Sequence, residues 1–382
     1  MSFTNDQQIK QLILDKKHIL ITFGRDASYD AISSALALFL FLEKMNKPAD
    51  IVCDRFSLPS QCKFLKKSEA IKNNFDFLQK FIISLDVEKT GVQELSYDMK
   101  NEKLRIFITP KQGYLTRENI RTAQSEFRYD LIFVVGSSDL VSLGSIYDNN
   151  TDLFYKTPVI NLDNKSDNEY FGQINYIDLT CSSLTEALFG LMKKIGEEYI
   201  DEPIATAILT GIIAETKSFK GENVKPRTLE IASKLIDMGA DREKIITNLY
   251  RNRTIPMLKL WGAALTHIQN KKELGLVWCL ITRDDFIRAN AKEEDLKDVV
   301  DELINTSPDA KITLLLHEHI ENANENLIHI MINSKKELDL KNLLAKYKPA
   351  GQKNKISFFI KDKSLKEAEE EILLELQKLL IN

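Results

Sequence analysis

The sequence predicts an α/β protein in two parts: a helix-flanked parallel sheet that carries an inserted β-hairpin, followed by a smaller α/β domain. Three observations lead to this prediction. The chain has 382 residues, more than one ordinary hydrophobic core accommodates. Its first half alternates continuous apolar runs with amphipathic helices, a pattern typical of strands buried on both faces of a parallel sheet. The remainder has strands and helices of its own, which indicates a second domain.

The first part, residues 1–245, supplies the parallel sheet. Strands are predicted at 18–23, 49–54, 130–136 and 158–163. Helices are predicted at 30–45, 181–196, 203–214 and 226–240. Serine caps open the helix at 181–196 and Gly196 closes it, while Pro226 opens the last helix, so these helix ends are well marked.

Residues 81–113 have a different pattern. The runs ISLD, ELSYDM and KLRIFI are separated by turn-rich stretches such as KNEK. This pattern predicts a β-hairpin or a small antiparallel insertion on the main sheet. A dimer contact and a lid are equally open as roles for this insertion.

Residues 246–272 read as a connecting helix interrupted near Pro256, and residues 273–382 form the second domain. Its strands are predicted at 275–282, 311–320, 326–333 and 355–362. Its helices are predicted at 293–306, 340–347 and 364–380.

The amino-acid composition limits the classes of function that this protein can have. The hydrophobic content of 43% and charged content of 28% are those of a soluble globular protein. A net charge of −4 gives no support to bulk attraction for nucleic acid or an anionic membrane. We expect neither a signal peptide nor a membrane span, since no stretch reaches ~18 apolar residues. The 4 scattered cysteines favour free thiols in a reducing cytoplasm.

The 5 histidines do not cluster with cysteines at ligand spacing, so we expect no zinc site. Alternation along residues 311–320 places His317 and His319 on one strand face. We expect that face to be half exposed rather than to form a ligand pair.

Polar side chains follow the ends of the predicted parallel strands, where ligands bind in sheets of this kind, and others follow the predicted helix at 203–214. They mix carboxylates, hydroxyls and lysines, and they contain no histidine. The candidates are Arg25, Asp26, Ser28, Asp30, Asp163, Asn164, Lys165, Glu215, Lys217 and Lys220, together with the backbone position Gly136 at the end of a strand.

The stretch DAISSALAL, which begins at Asp30, resembles the first motif of the DHH/DHHA1 phosphoesterases, a family that includes nano-RNases and pAp phosphatases. The other motifs match with changed residues. The first-motif histidine falls on Gly24 and its first aspartate on Ser28; the metal-bridging aspartate falls on Gly136; Asp-His-His becomes Asp163, Asn164 and Lys165; and the last aspartate becomes Glu215.

The resemblance implies two bound manganese ions, but the residue at the bridging position and the motif histidines are replaced. Two close divalent ions need bridging carboxylate and several terminal ligands. We therefore expect a catalytically inactive protein without a metal cofactor. The alternative is an active phosphoesterase for short RNA, pAp or a cyclic dinucleotide, with Mg²⁺ or Mn²⁺ held by Asp30, Asp163, Glu215 and Asp26.

Each remaining carboxylate also has a role that needs no metal. Asp30 stands in the first turn of a helix, where negative charge is favourable. We expect Asp163 to accept backbone hydrogen bonds at a strand end and Glu215 to have a structural or solvated role.

The second domain resembles DHHA1, in which an Arg-Ser pair and a later Gly-Gly-Gly-His loop form the signature. Here the pair reads Asn333-Ser334, and the histidine falls on Gln352. The resemblance implies a ligand in the interdomain cleft, namely a nucleotide, a short oligonucleotide or a partner protein. The expected contacts are Lys165, Lys217, Ser334, Lys335, Gly351, Gln352 and Asn354. A homodimer and a purely structural subunit, assembled through the insertion, stay open.

Overall fold

The computed structural model describes residues 4–221, 223–251, 254–296, 299, 310–320, 327–335 and 338–381. The chain divides into two compact units, Met1–Asn252 and Arg253–Asn382, hereafter unit 1 and unit 2. None of the described helices combines the length and the apolar character that crossing a bilayer requires.

Unit 1 alternates helices and strands. Its helices are α1 Asn5–Asp15, α2 Tyr29–Lys44, α3 Ser145–Asp148, α4 Thr151–Lys156, α5 Leu184–Gly196, α6 Glu202–Glu215, α7 Pro226–Asp237 and α8 Arg242–Tyr250. Its strands are β1 Ile19–Thr22, β2 Ala49–Val52, β3 Ile71–Lys72, β4 Phe81–Leu85, β5 Glu94–Lys100, β6 Lys103–Thr109, β7 Ile120–Gln124, β8 Leu131–Val135, β9 Val159–Asp163 and β10 Ile174–Ile177.

The main sheet of unit 1 is parallel throughout, in the order β10-β9-β8-β1-β2-β3. One face packs on α2, α5 and α6, and the other packs on α3 and α4. Strands β1, β8 and β9 are buried along their whole length because helices cover both faces. The predicted fold class, a helix-flanked parallel sheet, is confirmed.

The insertion forms two separate antiparallel pairs. β5 pairs with β6 as a hairpin, and β4 pairs with β7. Within the described residues, neither pair hydrogen-bonds to the main sheet. The hairpin was predicted, but the insertion does not lie on the main sheet. The partner of β4, the strand β7, also lies beyond the predicted end at residue 113. The pairing of β4 with β7 spans a long loop, so the local sequence pattern does not reveal it.

Unit 2 has its own sheet, in the order β11-β12-β13-β14-β16-β15. β12 and β13 are parallel, and the other neighbours are antiparallel. Its strands are β11 Ile268–Lys271, β12 Leu276–Ile281, β13 Ile312–Glu318, β14 Leu327–Ser334, β15 Ala350–Gln352 and β16 Lys355–Lys361. Its helices are α9 Ile255–Thr266, α10 Arg283–Ala289, α11 Leu340–Leu343 and α12 Leu365–Ile381.

Several predictions for unit 2 change. The region 246–272 is helical on both sides of a break near Pro256, as predicted: α8 ends at Tyr250 and α9 starts after the Thr254 cap. Its last residues form the strand β11 instead of continuing the helix. Of the helix predicted at 293–306, the structure shows a short 3₁₀ turn, Glu293–Leu296. Residues 297, 298 and 300–309 lie outside the described residues.

The prediction of a half-exposed histidine face was wrong for His317. Its exposed fraction is 1%. This face of β13 belongs to a core that includes α9 and α10. Phe286 of α10 lies edge-on to the His317 ring, with the two ring centroids 5.6 Å apart. The helices that cover β13 come from elsewhere in the chain, so alternation along the strand alone does not reveal the burial.

Candidate functional site

The loops that follow β1, β8 and β9 meet at one end of the main sheet, because parallel strands end on the same side. The start of α5 and the end of α6 lie beside them. We call this region the carboxyl edge; it comprises residues 23–30, 136–139, 163–168, 181–186 and 211–220. The motif positions predicted for unit 1 lie in these segments.

Asp30 is buried at the carboxyl edge, with 3% of its surface exposed. Its Oδ2 accepts a hydrogen bond from the Leu184 N–H at 2.6 Å. Its Oδ1 accepts bonds from the Thr185 N–H at 3.0 Å and the Thr185 hydroxyl at 2.7 Å. The first N–H groups of a helix have no partner within it and attract negative charge. Asp30 therefore fastens the start of α2 to the start of α5.

Burial raises the pKa of Asp30 from 3.8 to about 6. The hydrogen bonds from Thr185 and Leu184 act in the opposite direction, since they stabilise the charged form. The negative charge of Glu215 raises the pKa further, so the two carboxyl groups lie within electrostatic reach. Glu215 itself is exposed at the end of α6.

Gly136 follows β8 and has a φ of +64°, in the left-handed region. A Cβ at this position would lie 2.9 Å from Leu184 Cδ2 and 3.1 Å from Ala31 Cβ. Both separations are shorter than ordinary van der Waals contacts. The position that carries the bridging aspartate in the family pattern is therefore filled by the side chains of α2 and α5.

Asp163 ends β9 and has no exposed surface. Its Oδ1 accepts from the Asn164 N–H at 2.8 Å, and its Oδ2 accepts from the Asn168 side-chain amide at 2.8 Å. The same amide group of Asn168 donates to the Ser137 carbonyl at 3.1 Å. Asp163 is thus part of a buried amide network that links the loops after β8 and β9.

The remaining first-motif positions are exposed or structural. The Ser28 hydroxyl accepts from the Ala31 N–H at 3.2 Å and caps α2. Asp26 is exposed. Arg25 forms an ion pair with Asp54, whose pKa is lowered by the Ser145 hydroxyl and, to a smaller extent, by Arg25.

The resemblance drawn from the sequence implies a pair of manganese ions, and the carboxyl edge does not fit such a pair. A binuclear centre needs a bridging carboxylate and further carboxylate or imidazole ligands. Gly136 offers no ligand atom, and both oxygens of Asp30 already bind α5. The single histidine among the described residues of unit 1, His18, precedes β1 at the opposite end of the sheet and contacts Asp50.

Two predicted phosphate-binding lysines, Lys165 and Lys217, are exposed at this edge and form no ion pair with any residue of the described part of the chain. Lys217, Ser218 and Phe219 have φ values of 49°, 59° and 65°. Three successive non-glycine residues in the left-handed region store conformational strain. Thr216 holds this turn, because its hydroxyl accepts from the Phe219 N–H at 3.2 Å.

The predicted binding residues of unit 2 gather at one end of its sheet. Ser334 ends β14 and donates its N–H to the Asn354 carbonyl at 2.9 Å. Lys335 follows directly and is exposed. Gly351 and Gln352 lie in β15, which pairs with the start of β16.

Sequence reasoning missed Thr185 and Asn168 as partners of the two buried aspartates. A signal existed for Thr185, because the Ser183 cap already marks the start of a helix with unpaired N–H groups. No signal existed for Asn168, which lies in a loop without a recognisable pattern.

No protein-family model matches the chain. The bifunctional oligoribonuclease and PAP phosphatase NrnA of Thermus thermophilus is 29% identical over 110 residues, 29% of this chain and 33% of that protein. An uncharacterized protein of Mycoplasma genitalium is 29% identical over 126 residues, 32% of this chain and 37% of that protein. The chain thus aligns with about a third of the length of each of these relatives.

The crystal structure of an exopolyphosphatase-related protein from Bacteroides fragilis has the same fold. It matches with a TM-score of 0.72 at 18% identity, covering 99% of this chain and 98% of that one. Together with the sequence matches, this confirms the resemblance drawn from DAISSALAL and the motifs after it. By sequence resemblance and by fold, the chain is similar to the DHH/DHHA1 phosphoesterases.

Proposed function

We propose that the carboxyl edge of unit 1 binds the phosphate groups of a nucleotide or short oligonucleotide without hydrolysing them by a metal-dependent reaction. The observation that supports this proposal is the glycine at position 136, where the family pattern has the bridging aspartate. The bridging carboxylate is absent, and Leu184 and Ala31 occupy the space that its Cβ would need.

The loss of the bridging ligand removes the nucleophile as well as the metal. In a two-metal phosphoesterase, the ions activate a water molecule and neutralise the charge that develops on the phosphate. Asp30 and Asp163 would have to supply ligands instead, but their oxygens accept hydrogen bonds from Leu184, Asn164 and Asn168. Without metal, no described group at this edge replaces both functions.

Phosphate binding needs less than catalysis does. A lysine attracts phosphate as a point charge, with no metal and no fixed geometry. Lys165 and Lys217 are exposed on the loops after β9 and α6 and have no described carboxylate partner. The substrate class acted on by NrnA, oligoribonucleotides and PAP, is the first ligand class to test.

The test is fluorescence anisotropy with a labelled RNA trinucleotide and competition by pAp, using the full chain. We expect Lys165→Ala combined with Lys217→Ala to weaken binding roughly tenfold, because two phosphate contacts are lost. The matched control is Lys156→Ala, since this lysine lies in α4 before β9, at the opposite end of the sheet, and pairs with Asp152. Equal affinity of the double variant and wild type would refute the lysine assignment.

Hydrolysis is measured on the same samples with Mn²⁺ or Mg²⁺ added. We expect no nucleotide product above the level of a heat-inactivated sample. Product that requires the metal and disappears in Glu215→Ala would show an active carboxylate-only site and overturn the inactive assignment. Glu215 suits this test because it is exposed, so its replacement leaves the core of unit 1 intact.

A further inference from the structure

Three potential metal ligands meet in unit 2. His317 on β13 and His329 on β14 are directly opposite each other, with His317 Nε2 3.0 Å from His329 Nδ1. Glu293 stands in the 3₁₀ turn Glu293–Leu296. One ligand atom from each of the three side chains lies within 4.8 Å of those of the other two.

Neighbouring backbone and side-chain groups orient the three ligands. His317 Nδ1 lies 3.1 Å from the Glu318 carbonyl, which can only accept, so Nδ1 carries the proton and Nε2 has the free lone pair. The Ile320 N–H donates to Glu293 Oε1 at 2.6 Å. His319 Nδ1 is 2.8 Å from the same oxygen. Such outer contacts are the ones that orient imidazole and carboxylate ligands in metal sites.

Aromatic rings fix the imidazoles while one side stays open. The Phe359 ring stacks on His329 with centroids 4.4 Å apart, and Phe286 lies edge-on to His317. His317 is 1% exposed, whereas the Glu293 side chain is 23% exposed. An ion could therefore reach the cluster from the Glu293 side. Burial lowers the pKa of His329 to about 4, so its imidazole is neutral at neutral pH.

We infer that unit 2 binds a divalent transition-metal ion, Zn²⁺ in preference to Mn²⁺ or Mg²⁺, through His317 Nε2, His329 Nδ1 and a Glu293 carboxylate oxygen. Two imidazoles and one carboxylate are ligands for ions of this class, while Mg²⁺ prefers oxygen alone. Three protein ligands leave a fourth tetrahedral position for water, as in sites where Zn²⁺ takes part in chemistry.

The separation of the two imidazole nitrogens needs to change only slightly to accommodate an ion. With Zn–N bonds of about 2.05 Å, two tetrahedral ligands are about 3.3 Å apart, so the imidazole nitrogens, now 3.0 Å apart, must separate slightly. Without metal, the His329 Nδ1–H donates to His317 Nε2. With metal, that proton moves to Nε2 of His329 and frees Nδ1, so the imidazole stays neutral and no proton is released.

This site is independent of the proposed phosphate site and of the DHHA1-type residues. The carboxyl edge belongs to unit 1. Within unit 2, Ser334 lies five residues beyond His329 on β14, which corresponds to about 17 Å of strand. A failure to detect phosphate binding would therefore leave the metal-site inference unaffected. A failure to detect Zn²⁺ binding would likewise leave the proposed phosphate site unaffected.

The test is titration of the full chain with Co²⁺, followed by visible absorption, and with Zn²⁺, followed by calorimetry. We expect one equivalent of Co²⁺ to give the intense bands of tetrahedral coordination and Zn²⁺ to displace it. Glu293→Gln and His329→Gln should each weaken Zn²⁺ binding by roughly 100-fold or more, since replacing a residue that only orients a ligand already costs roughly ten- to 100-fold. His267→Gln is the matched control, because His267 is in the same unit but binds the Leu280 carbonyl.

Thermal unfolding provides a second measurement. Zn²⁺ should raise the unfolding temperature of wild type and of His267→Gln, because an ion that binds only the folded state stabilises it. It should have no such effect on Glu293→Gln, whose partly exposed side chain can change without disturbing the core. Absence of tight Zn²⁺ binding by wild type would overturn the inference, as would Glu293→Gln and His329→Gln both binding like wild type.

Discussion

Asp30 occupies with its own carboxylate the place that an anion takes at the start of a helix. Its three donors, from Leu184 and Thr185, belong to the first turn of α5. A metal ligand needs lone pairs directed at the ion, whereas these lone pairs point at N–H and O–H groups. The residue is a structural link between α2 and α5, and its burial sets the pH dependence of the link.

We expect Asp30 to make the stability of unit 1 fall as pH rises from about 4 to 6. The folded-state pKa of about 6 is above the unfolded-state value of 3.8, so the folded chain holds the proton more tightly. A pKa difference of this size corresponds to roughly 3 kcal/mol of unfolding free energy, fully present below pH 4 and lost as pH passes 6.

Urea unfolding of wild type and Asp30→Ala across this pH range measures the effect. The stability difference between the two proteins should be larger at pH 4.5 than at pH 7, and Asp26→Ala, an exposed acid of the same loop, should match wild type. A difference that grows with pH would contradict the assignment. At pH 7 the loss in Asp30→Ala should be about 2 kcal/mol, because three buried donors lose their acceptor, and at pH 4.5 it should be larger.

Gly136 gives the second prediction for a single residue. Gly136→Ala should destabilise unit 1 by about 1–3 kcal/mol, since a side chain adds strain at positive φ and overlaps Leu184 and Ala31. Gly190→Ala is the control: this position lies in α5, and its nearest neighbour would be 3.6 Å away. There, replacing glycine should be neutral or stabilise by up to about 1 kcal/mol. Equal effects in denaturant unfolding would refute the steric explanation.

Among the elements, the β5–β6 hairpin is unusual because one of its faces is apolar and exposed. Leu95, Tyr97 and Met99 share that face and are 66%, 76% and 76% exposed. Asp98 and Arg105 form an ion pair on the other face. No residue of β5 or β6 belongs to a described hydrophobic core, and two-stranded ribbons contribute little stability by themselves.

We therefore expect removal of Glu94–Thr109, with Gln93 joined to Pro110 through an Asn-Gly turn, to leave the unfolding free energy of unit 1 within about 1 kcal/mol. The join is short because Gln93 N–H already bonds the Thr109 carbonyl at 2.7 Å. The shortened protein should also be more soluble, since it loses an exposed apolar face. A loss of several kcal/mol in denaturant unfolding would mean that the hairpin packs on the core.

The secondary-structure elements also show which sequence patterns are sufficient to predict a strand. β1, β8 and β9 were predicted because both of their faces are buried, which produces continuous apolar runs. β10 and β11 were not predicted, because each has only four residues. β10 has one buried residue and β11 has none. Short, half-buried strands carry no periodic pattern, and their pairing comes from the strand beside them.

At the scale of the whole molecule, the candidate sites differ in how far the sequence reveals them. The carboxyl edge follows from topology, because the ends of parallel strands converge. The cluster of His317, His329 and Glu293 does not, since its members come from separate segments and spacing predicted no zinc site. Only the pairing of β13 with β14 and the position of the 3₁₀ turn bring them together.

The close packing around Gly136 also constrains how this chain can change. A mutation that places aspartate at position 136 is harmful while Leu184 and Ala31 keep their present side chains. A smaller residue at 184 would have to come first, and by itself it would leave a cavity. The order of mutations therefore matters. Any stepwise path from the present sequence to one with the family's bridging carboxylate passes through at least one less stable intermediate, which is a form of epistasis.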